Sequence, residues 1–332
     1  MNNLIYTLFG INKLSKCKKD NHIIDEYGDI KSNITIINNN IKNGNVFKMK
    51  INNSIDNIIL PYNTKILSIQ NIPGDLRLYE IPGYMDNNTR YSKITFNNIK
   101  DLTDFDYICY PIPKFNKKDN DDNHHDYDFH RFLGINLMNN FNNNIILINE
   151  KNKNTIAFLN KYLFNNNITY EKNDINDMST EFKFNCPFNN FNFNYNNISE
   201  ENSKALLKGI VELYYIKNPD NDYINIKINL NSRNIIYIIK FLFMKFGILI
   251  STNYIDNYYV VKIPKIGIIC ELFNIPFSNI ENLPYFVYNG YICSKIKSIA
   301  KVSKFNGNIY ILDINDKYVS EVGVLYHNSL EK

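Results

Sequence analysis

The sequence predicts a mostly β fold with a duplicated α/β block inserted into it. Three observations carry this. Short apolar and β-branched runs, broken by Asn, Gly and Asp, fill about residues 21–113 and return after about residue 283. Between them the pattern changes to amphipathic helices alternating with strands. Within this middle block, helix–strand–helix–strand occurs twice, with Gly134 and Gly209 in equivalent places, the mark of an internal repeat. An insertion into a β domain accounts for the order better than three beads on a string. It lets the early strands and the tail share one fold.

In order, "DNHIIDEYGDIKSNITII", "NVFKMKIN", "NIILPYNTKILSIQ" and "YSKITFNNIK" read as strands, and "DLTDFDYICYPIP" closes the first block. "KFNKKDNDDNHHDYD" has no apolar period and reads as a linker. "FHRFLGINLMNN" is helical, "NNIILIN" a strand, "KNTIAFLNKYLF" an amphipathic helix, and "ITYEKND" and "FKFNCPF" strands. The second copy starts at a capping serine, Ser199 or Ser203, before "ALLKGIVELYYI". "YINIKINL" then alternates as a strand, "SRNIIYIIKFLFMKFG" is a helix stopped at Gly247, and "ILISTNYI" with "NYYVVKI" makes a hairpin. "YFVYNGYICSKIKSIAKV", "NIYILDIN" and "KYVSEVGVLYHN" return to β.

The net charge is only +4, and the basic residues are nearly all Lys. The arginines are Arg77, Arg90, Arg131 and Arg233, fewer than a dedicated nucleic-acid reader uses for phosphate forks and base edges. Cys17, Cys109, Cys186, Cys270 and Cys293 are scattered, with no CxxC pair, which argues against a zinc site and for a reducing, intracellular compartment. No apolar run is long enough for a membrane-spanning helix, so no membrane partner is expected. The start lacks the basic n-region and cleavage site of a signal peptide. The richness in Asn, Ile, Lys and Tyr follows AT-rich codons, so Asn-rich stretches carry little functional weight. "NHHDYDFH" places His124, His125 and His130 among aspartates, but in a low-complexity stretch a solvated linker is the better reading than a metal cluster.

The ends carry chemistry. The tail reads "GVLYHNSLEK". An Asn amide can attack its own backbone carbonyl, forming a succinimide and breaking the bond that follows, provided the Asn is held in an attack geometry. His327 is placed to protonate the leaving amine of Asn328, and Ser329 offers a hydroxyl that can accept an acyl group. At the other end, the Cys17 thiolate can convert the Lys16 amide to a thioester.

These residues resemble an intein, a Hint-type protein-splicing domain. Cys17 with "DNHIIDEYGDIK" resembles its amino-terminal block. "NIKDLTDFDYICYPIP" resembles a second block, and "KIKSIAKVSKFNGNIYILDI" with "VGVLYHNS" the two carboxy-terminal ones. The central repeat resembles a LAGLIDADG (DOD-type) homing endonuclease, a common insertion in inteins. The resemblance implies a horseshoe-like β splicing domain in two parts, 17–113 and 283–328, a linker at 114–127 and an endonuclease-like domain at 128–282. Residues 1–16 and 329–332 are then flanking (extein) segments. It assigns catalysis to Cys17, His327, Asn328 and Ser329, needs no cofactor for splicing, and makes the host flanks partners in cis.

The departures from the family are specific. Where a Thr-x-x-His is usual, Pro61 stands at the Thr position and Thr64 at the His position, so the first step is expected to be slow. His22 is a stand-in on sequence proximity alone. The usual Asp of the next-to-last block is Ile311, and its other His is best matched by Lys317. In the endonuclease-like repeat the acidic metal-ligand positions hold Asn139 and Tyr214. Neither replaces a carboxylate for Mg2+, so cleavage of DNA is expected to be lost and the fold kept. Glu212 reads as a helix-surface or helix-end carboxylate rather than a rescued ligand, and Tyr214 and Tyr215 as packing residues. Two other readings stay open: a homing endonuclease or weak DNA-binding remnant acting through lysines, and a folded insertion that no longer splices.

Overall fold

The computed structural model describes residues 4–7, 10–17, 23–25, 27–31, 36–54, 57–70, 94–115, 127–138, 145–149, 152–176, 179–184, 198–214, 222–229, 233–275, 280, 283–312, 317–320 and 323–327. Two compact units emerge. One is assembled from Met1–Lys114, Met244–Thr252 and Ile280–Lys332, the other from Phe115–Phe243 and Asn253–Asn279. Among the described residues the fold is mostly β, with three antiparallel sheets and five α-helices.

The first unit is one thirteen-stranded sheet. Its strands are β1 (Leu4–Thr7), β2 (Gly10–Lys13), β3 (Ile23–Ile24), β4 (Ile30–Lys31), β5 (Ile36–Ile51), β6 (Ile58–Pro61), β7 (Thr64–Ile69), β8 (Thr95–Asn98), β9 (Tyr107–Pro111), and, after the second unit, β16 (Tyr285–Tyr288), β17 (Tyr291–Leu312), β18 (Lys317–Ser320) and β19 (Gly323–His327). The order is β4-β3-β1-β18-β19-β7-β9-β17-β5-β6, with β2 on β1, β8 on β7 and β16 on β17. β9, "YICYP", is buried along its whole length because it lies between β7 and β17. β5 and β17 form a ribbon in register from Leu312↔Ile36 to Ile296↔Ile51, broken by register shifts near Ser298 and Phe305. Such bulges bend and twist a long ribbon. Only Tyr62 and Asn63 join β6 to β7, yet β9, β17 and β5 lie between them in the sheet. The path therefore turns back on itself. β6 is an edge of this path, which is where a strand tolerates Pro61.

Residues 1–16, expected as a flank, contribute β1 and β2 to this sheet. Ile5, Tyr6 and Thr7 are buried there. Met244–Thr252, expected in the inserted domain, belongs to the first unit, where the Asn53 side-chain amide donates to the Ile250 carbonyl at 3.2 Å.

The second unit contains α1 (Tyr127–Met138), β10 (Ile145–Asn149), α2 (Lys153–Asn165), β11 (Tyr170–Asn176) and β12 (Ser179–Phe184). There follow α3 (Glu200–Glu212), β13 (Tyr223–Asn229), α4 (Arg233–Met244), β14 (Ser251–Ile255) and β15 (Tyr258–Pro264). The order α-β-α-β-β occurs twice. The sheets repeat it too: β10-β12-β11 and β13-β15-β14, the first strand of each copy pairing with the third. β13 shows the period of a half-buried strand, with Ile224, Ile226 and Ile228 inside and Asn225, Lys227 and Asn229 outside. Ser199 caps α3, its hydroxyl accepting from the Asn202 amide at 3.2 Å, while Ser203 lies buried within the helix. Asp256 and Asn257, both at positive φ, turn β14 into β15 as a two-residue hairpin loop requires. A short α5 (Ile268–Phe273) follows. Its "IICELF" is too short and too uniformly apolar to show a period.

Candidate functional site

The carboxy-terminal strand is an interior strand. On one side β19 pairs with β18, Lys317 opposite Tyr326. On the other it pairs with β7, placing Leu325 opposite Ile66, Tyr326 opposite Lys65 and His327 opposite Thr64. Val324 and Leu325 are fully buried. Gly323, at φ +99°, starts the strand where a Cβ would overlap the Ile108 side chain and come within 3.0 Å of the Cys109 carbonyl oxygen. The Ser320 hydroxyl donates to the Gly323 carbonyl at 3.1 Å and ties the two strands at that end. The backbone that leads into Asn328 is thus fixed on both edges. Asn328 and Ser329 themselves lie outside the described residues, as do His22, His124, His125 and Asn139.

Of the four positions where the sequence departs from the intein pattern, two flank this strand. Thr64 is in register with His327. Its side chain is fully buried, and its hydroxyl has no hydrogen-bond partner among the described residues. Burial of an unpaired hydroxyl costs about 1–3 kcal/mol. Lys317 is in register with Tyr326, and its ammonium lies 5.2 Å from the Phe96 ring centroid. Ile311 and Pro61 lie elsewhere, opposite Ile37 on β5 and Val46 on β5 respectively.

Cys17 ends a short 3-10 turn, Leu14–Lys16, whose Leu14 is fully buried and which packs against β5 and β17. The turn closes through the Cys17 amide, which donates to the Leu14 carbonyl at 3.2 Å. The thiol donates to the Lys13 carbonyl at 3.5 Å. Partial burial pushes this thiol up to about 11. The other described cysteines, Cys109, Cys270 and Cys293, are buried. Cys109 and Cys293 sit opposite each other on β9 and β17 with Sγ atoms 3.7 Å apart, and burial beside a second thiol holds Cys109 well above the ordinary thiol range. Cys17 is therefore the one described cysteine with access to solvent.

In the second unit α1 and α3 cross at their glycines. A Cβ on Gly134 would overlap the Leu206 carbonyl oxygen and come within 2.9 Å of the Ile210 nitrogen. One on Gly209 would overlap the Arg131 carbonyl oxygen and come within 2.9 Å of the Ile135 nitrogen. At this helix pair Arg131 forks onto Glu212, with Nη2–Oε2 at 2.6 Å and Nε–Oε1 at 3.1 Å. The guanidinium also lies 3.9 Å above the Phe158 ring. Burial pushes the Glu212 carboxyl above its ordinary range, and Arg131 pulls it back only in part. Glu212 is thus neutralised by a cation already present, a poor state for a magnesium ligand. Arg131 is the residue the sequence reading missed. An arginine in the apolar text "FHRFLGINLM" needs a buried anionic partner, and that was the available signal. Tyr214 follows α3, and burial raises its phenol, so it offers no phenolate. His130 is buried edge-on against Phe129 rather than turned to a metal. Among the described residues no group of three His, Cys, Asp or Glu side chains is placed to hold a metal ion, and no helix is long and apolar enough to cross a membrane.

The outward faces of the two small sheets differ. Asn225, Lys227 and Asn229 line one, with Lys262 and Tyr258 opposite Asn225 and Asn229 on β15. The other carries an exposed Leu147, and its Lys183 is engaged by Glu181 at 3.1 Å.

Compared with protein-family models and with curated proteins, the chain matches none.

Proposed function

We propose that the chain is an intein that excises residues 17–328 and joins Lys16 to Ser329. The observation that carries this reading is the seating of β19. A strand ending in His327, immediately before Asn328 and Ser329, is held inside the same sheet against which the Cys17 turn packs. Cys17 Sγ attacks the Lys16 carbonyl carbon. The Lys16–Cys17 amide breaks, and the Cys17 nitrogen keeps the thiol proton. Ser329 Oγ then attacks the thioester, giving an ester and returning the proton to Cys17. Asn328 Nδ2 attacks its own carbonyl carbon. His327 protonates the departing Ser329 amine as the bond breaks and a succinimide forms. The freed amine attacks the ester, and the flanks are joined by an ordinary peptide bond. No cofactor enters these steps. In this reading the two carboxy-terminal blocks and the β sheet belong to a Hint-type domain, and the second unit to a LAGLIDADG endonuclease-like domain that no longer cuts DNA. Mg2+ would matter only to that lost activity.

The high Cys17 value makes the first step base-limited. In an Asn328→Ala chain, thiol-induced cleavage before Cys17 is expected to climb with pH and not to level off below about pH 10. A plateau near neutral pH would show that a local base activates the thiol. Thr64→Val is expected to stabilise the fold by about 1 kcal/mol in urea unfolding, because it removes a buried hydroxyl that has no partner among the described residues and nearly keeps the side-chain shape. The same change is expected to slow release of residues 329–332, and Thr64→Ser to restore it. An unchanged release rate would leave Thr64 a packing residue only.

A second reading, residual DNA binding, is favoured by the Asn225, Lys227 and Lys262 face. It would be weak and salt-sensitive, because it would rest on a few exposed lysines.

A further inference from the structure

We infer that Leu4–Leu14 is a working strand pair of this fold, which seats the amino-terminal junction and stays docked against β3 and β18 after the bond following Lys16 is cut. The seating role rests on the splicing reading; the docking does not.

β1 is paired on both edges. Along one of them Ile5 lies opposite Ser320 of β18 and Thr7 opposite Ile23 of β3, so β18 and β3 follow each other along the same edge. β2 folds back along the other from Leu4↔Lys13 to Thr7↔Gly10. Ile5, Tyr6 and Thr7 are consecutive, so their side chains point to alternate faces, and all three are buried. Both faces of β1 are therefore covered at Ile5–Thr7. A passive linker would show neither that burial nor pairing on two sides.

Without this segment, β18 loses a neighbour, and β18 is the strand that holds β19 at Lys317↔Tyr326. Ile23 and Ile24 on β3 and Val319 on β18, now buried, would lose the strand paired beside them. The segment also reaches the other junction. Among the described residues, Cys17 donates from its amide to the Leu14 carbonyl and from its thiol to the Lys13 carbonyl, both upstream of the cut. Leu14, fully buried, anchors the turn that makes them. One segment thus supports the strand before Asn328 and positions Cys17. The site left behind would accept an extended peptide that pairs along the edge formed by β3 and β18 and buries an Ile and a Tyr on opposite faces, the strand-addition mode of peptide recognition.

The docking is tested in the full chain carrying Cys17→Ala, with a protease recognition sequence inserted after Lys16. After cutting, size-exclusion chromatography at micromolar concentration is expected to show residues 1–16 co-eluting with the remainder. Ile5→Asp with Tyr6→Asp is expected to release them. Separate elution of the unsubstituted segment would overturn the docking. The seating is tested by replacing residues 4–13 with Gly and Ser in an otherwise native chain between two tags. Ligated product is expected to fall by roughly tenfold or more, as for any loss of positioning at a reacting bond. Equal yields from the two chains would overturn the seating role alone. If neither chain ligates, the seating falls with the splicing reading, and the elution result still decides whether the strand docks.

Discussion

Gly209→Ala is expected to destabilise the α/β unit by about 2 kcal/mol or more, although alanine is the better helix former. Two effects of opposite sign compete. Alanine in place of glycine favours a helix by about 1 kcal/mol. Against this, the new methyl would overlap the Arg131 carbonyl oxygen and crowd the Ile135 nitrogen across the helix pair. These are backbone atoms, so no rotamer change relieves the overlap, and α1 and α3 must separate. Overpacking of this kind costs about 1–3 kcal/mol and more where the contact is rigid. Separation would also loosen the Arg131–Glu212 fork, which bridges the same helices. Gly134→Ala is expected to act alike, since its methyl would meet Leu206 and Ile210. The double variant should cost less than the sum, because helices already apart accept the second methyl. Urea unfolding read on the helical signal checks this. A gain of about 1 kcal/mol, the helix propensity alone, would mean the helices do not touch there.

Asn328→Ala is expected to abolish ligation while leaving the bond before Cys17 open to thiol cleavage. Alanine has no nitrogen to attack the carbonyl, so the carboxy-terminal flank stays attached. The thioester at Lys16 forms upstream of that step and needs only Cys17. Cys17→Ala should give the reverse: no thiol-induced cleavage, with slow release at Asn328 still allowed. Gel mobility and intact mass separate these products. Loss of both cleavages in Asn328→Ala would show that the two junctions are coupled through the fold rather than acting in sequence.

Much of the architecture was legible because period and punctuation agree with it. β13 alternates Ile with Asn and Lys, α3 starts at Ser199, and Gly134 and Gly209 occupy equivalent places because two helix backbones meet there. What was not legible has physical reasons. β1 is four residues long, and one of its neighbours, at Ile5↔Ser320, is over 300 positions away, which no local pattern records. Met244–Thr252 continues an apolar text, and tertiary contacts alone, among them the bond from Asn53 to Ile250, assign it to the β unit. At the site, Cys17 and the His327 strand could be named from chemistry and spacing. The register of Thr64 with His327 depends on sheet order, in which β7 and β19 are neighbours despite their distance in sequence.

The central claim is that this chain cuts itself out. Residues 1–332 placed between two affinity tags and expressed in a foreign host test it most directly, with the products weighed by mass spectrometry. A joined-tag product retaining residues 1–16 and 329–332, with Lys16 bonded to Ser329, is expected beside a free fragment of residues 17–328. Accumulation of the intact precursor alone, unchanged by added thiol, would contradict the claim.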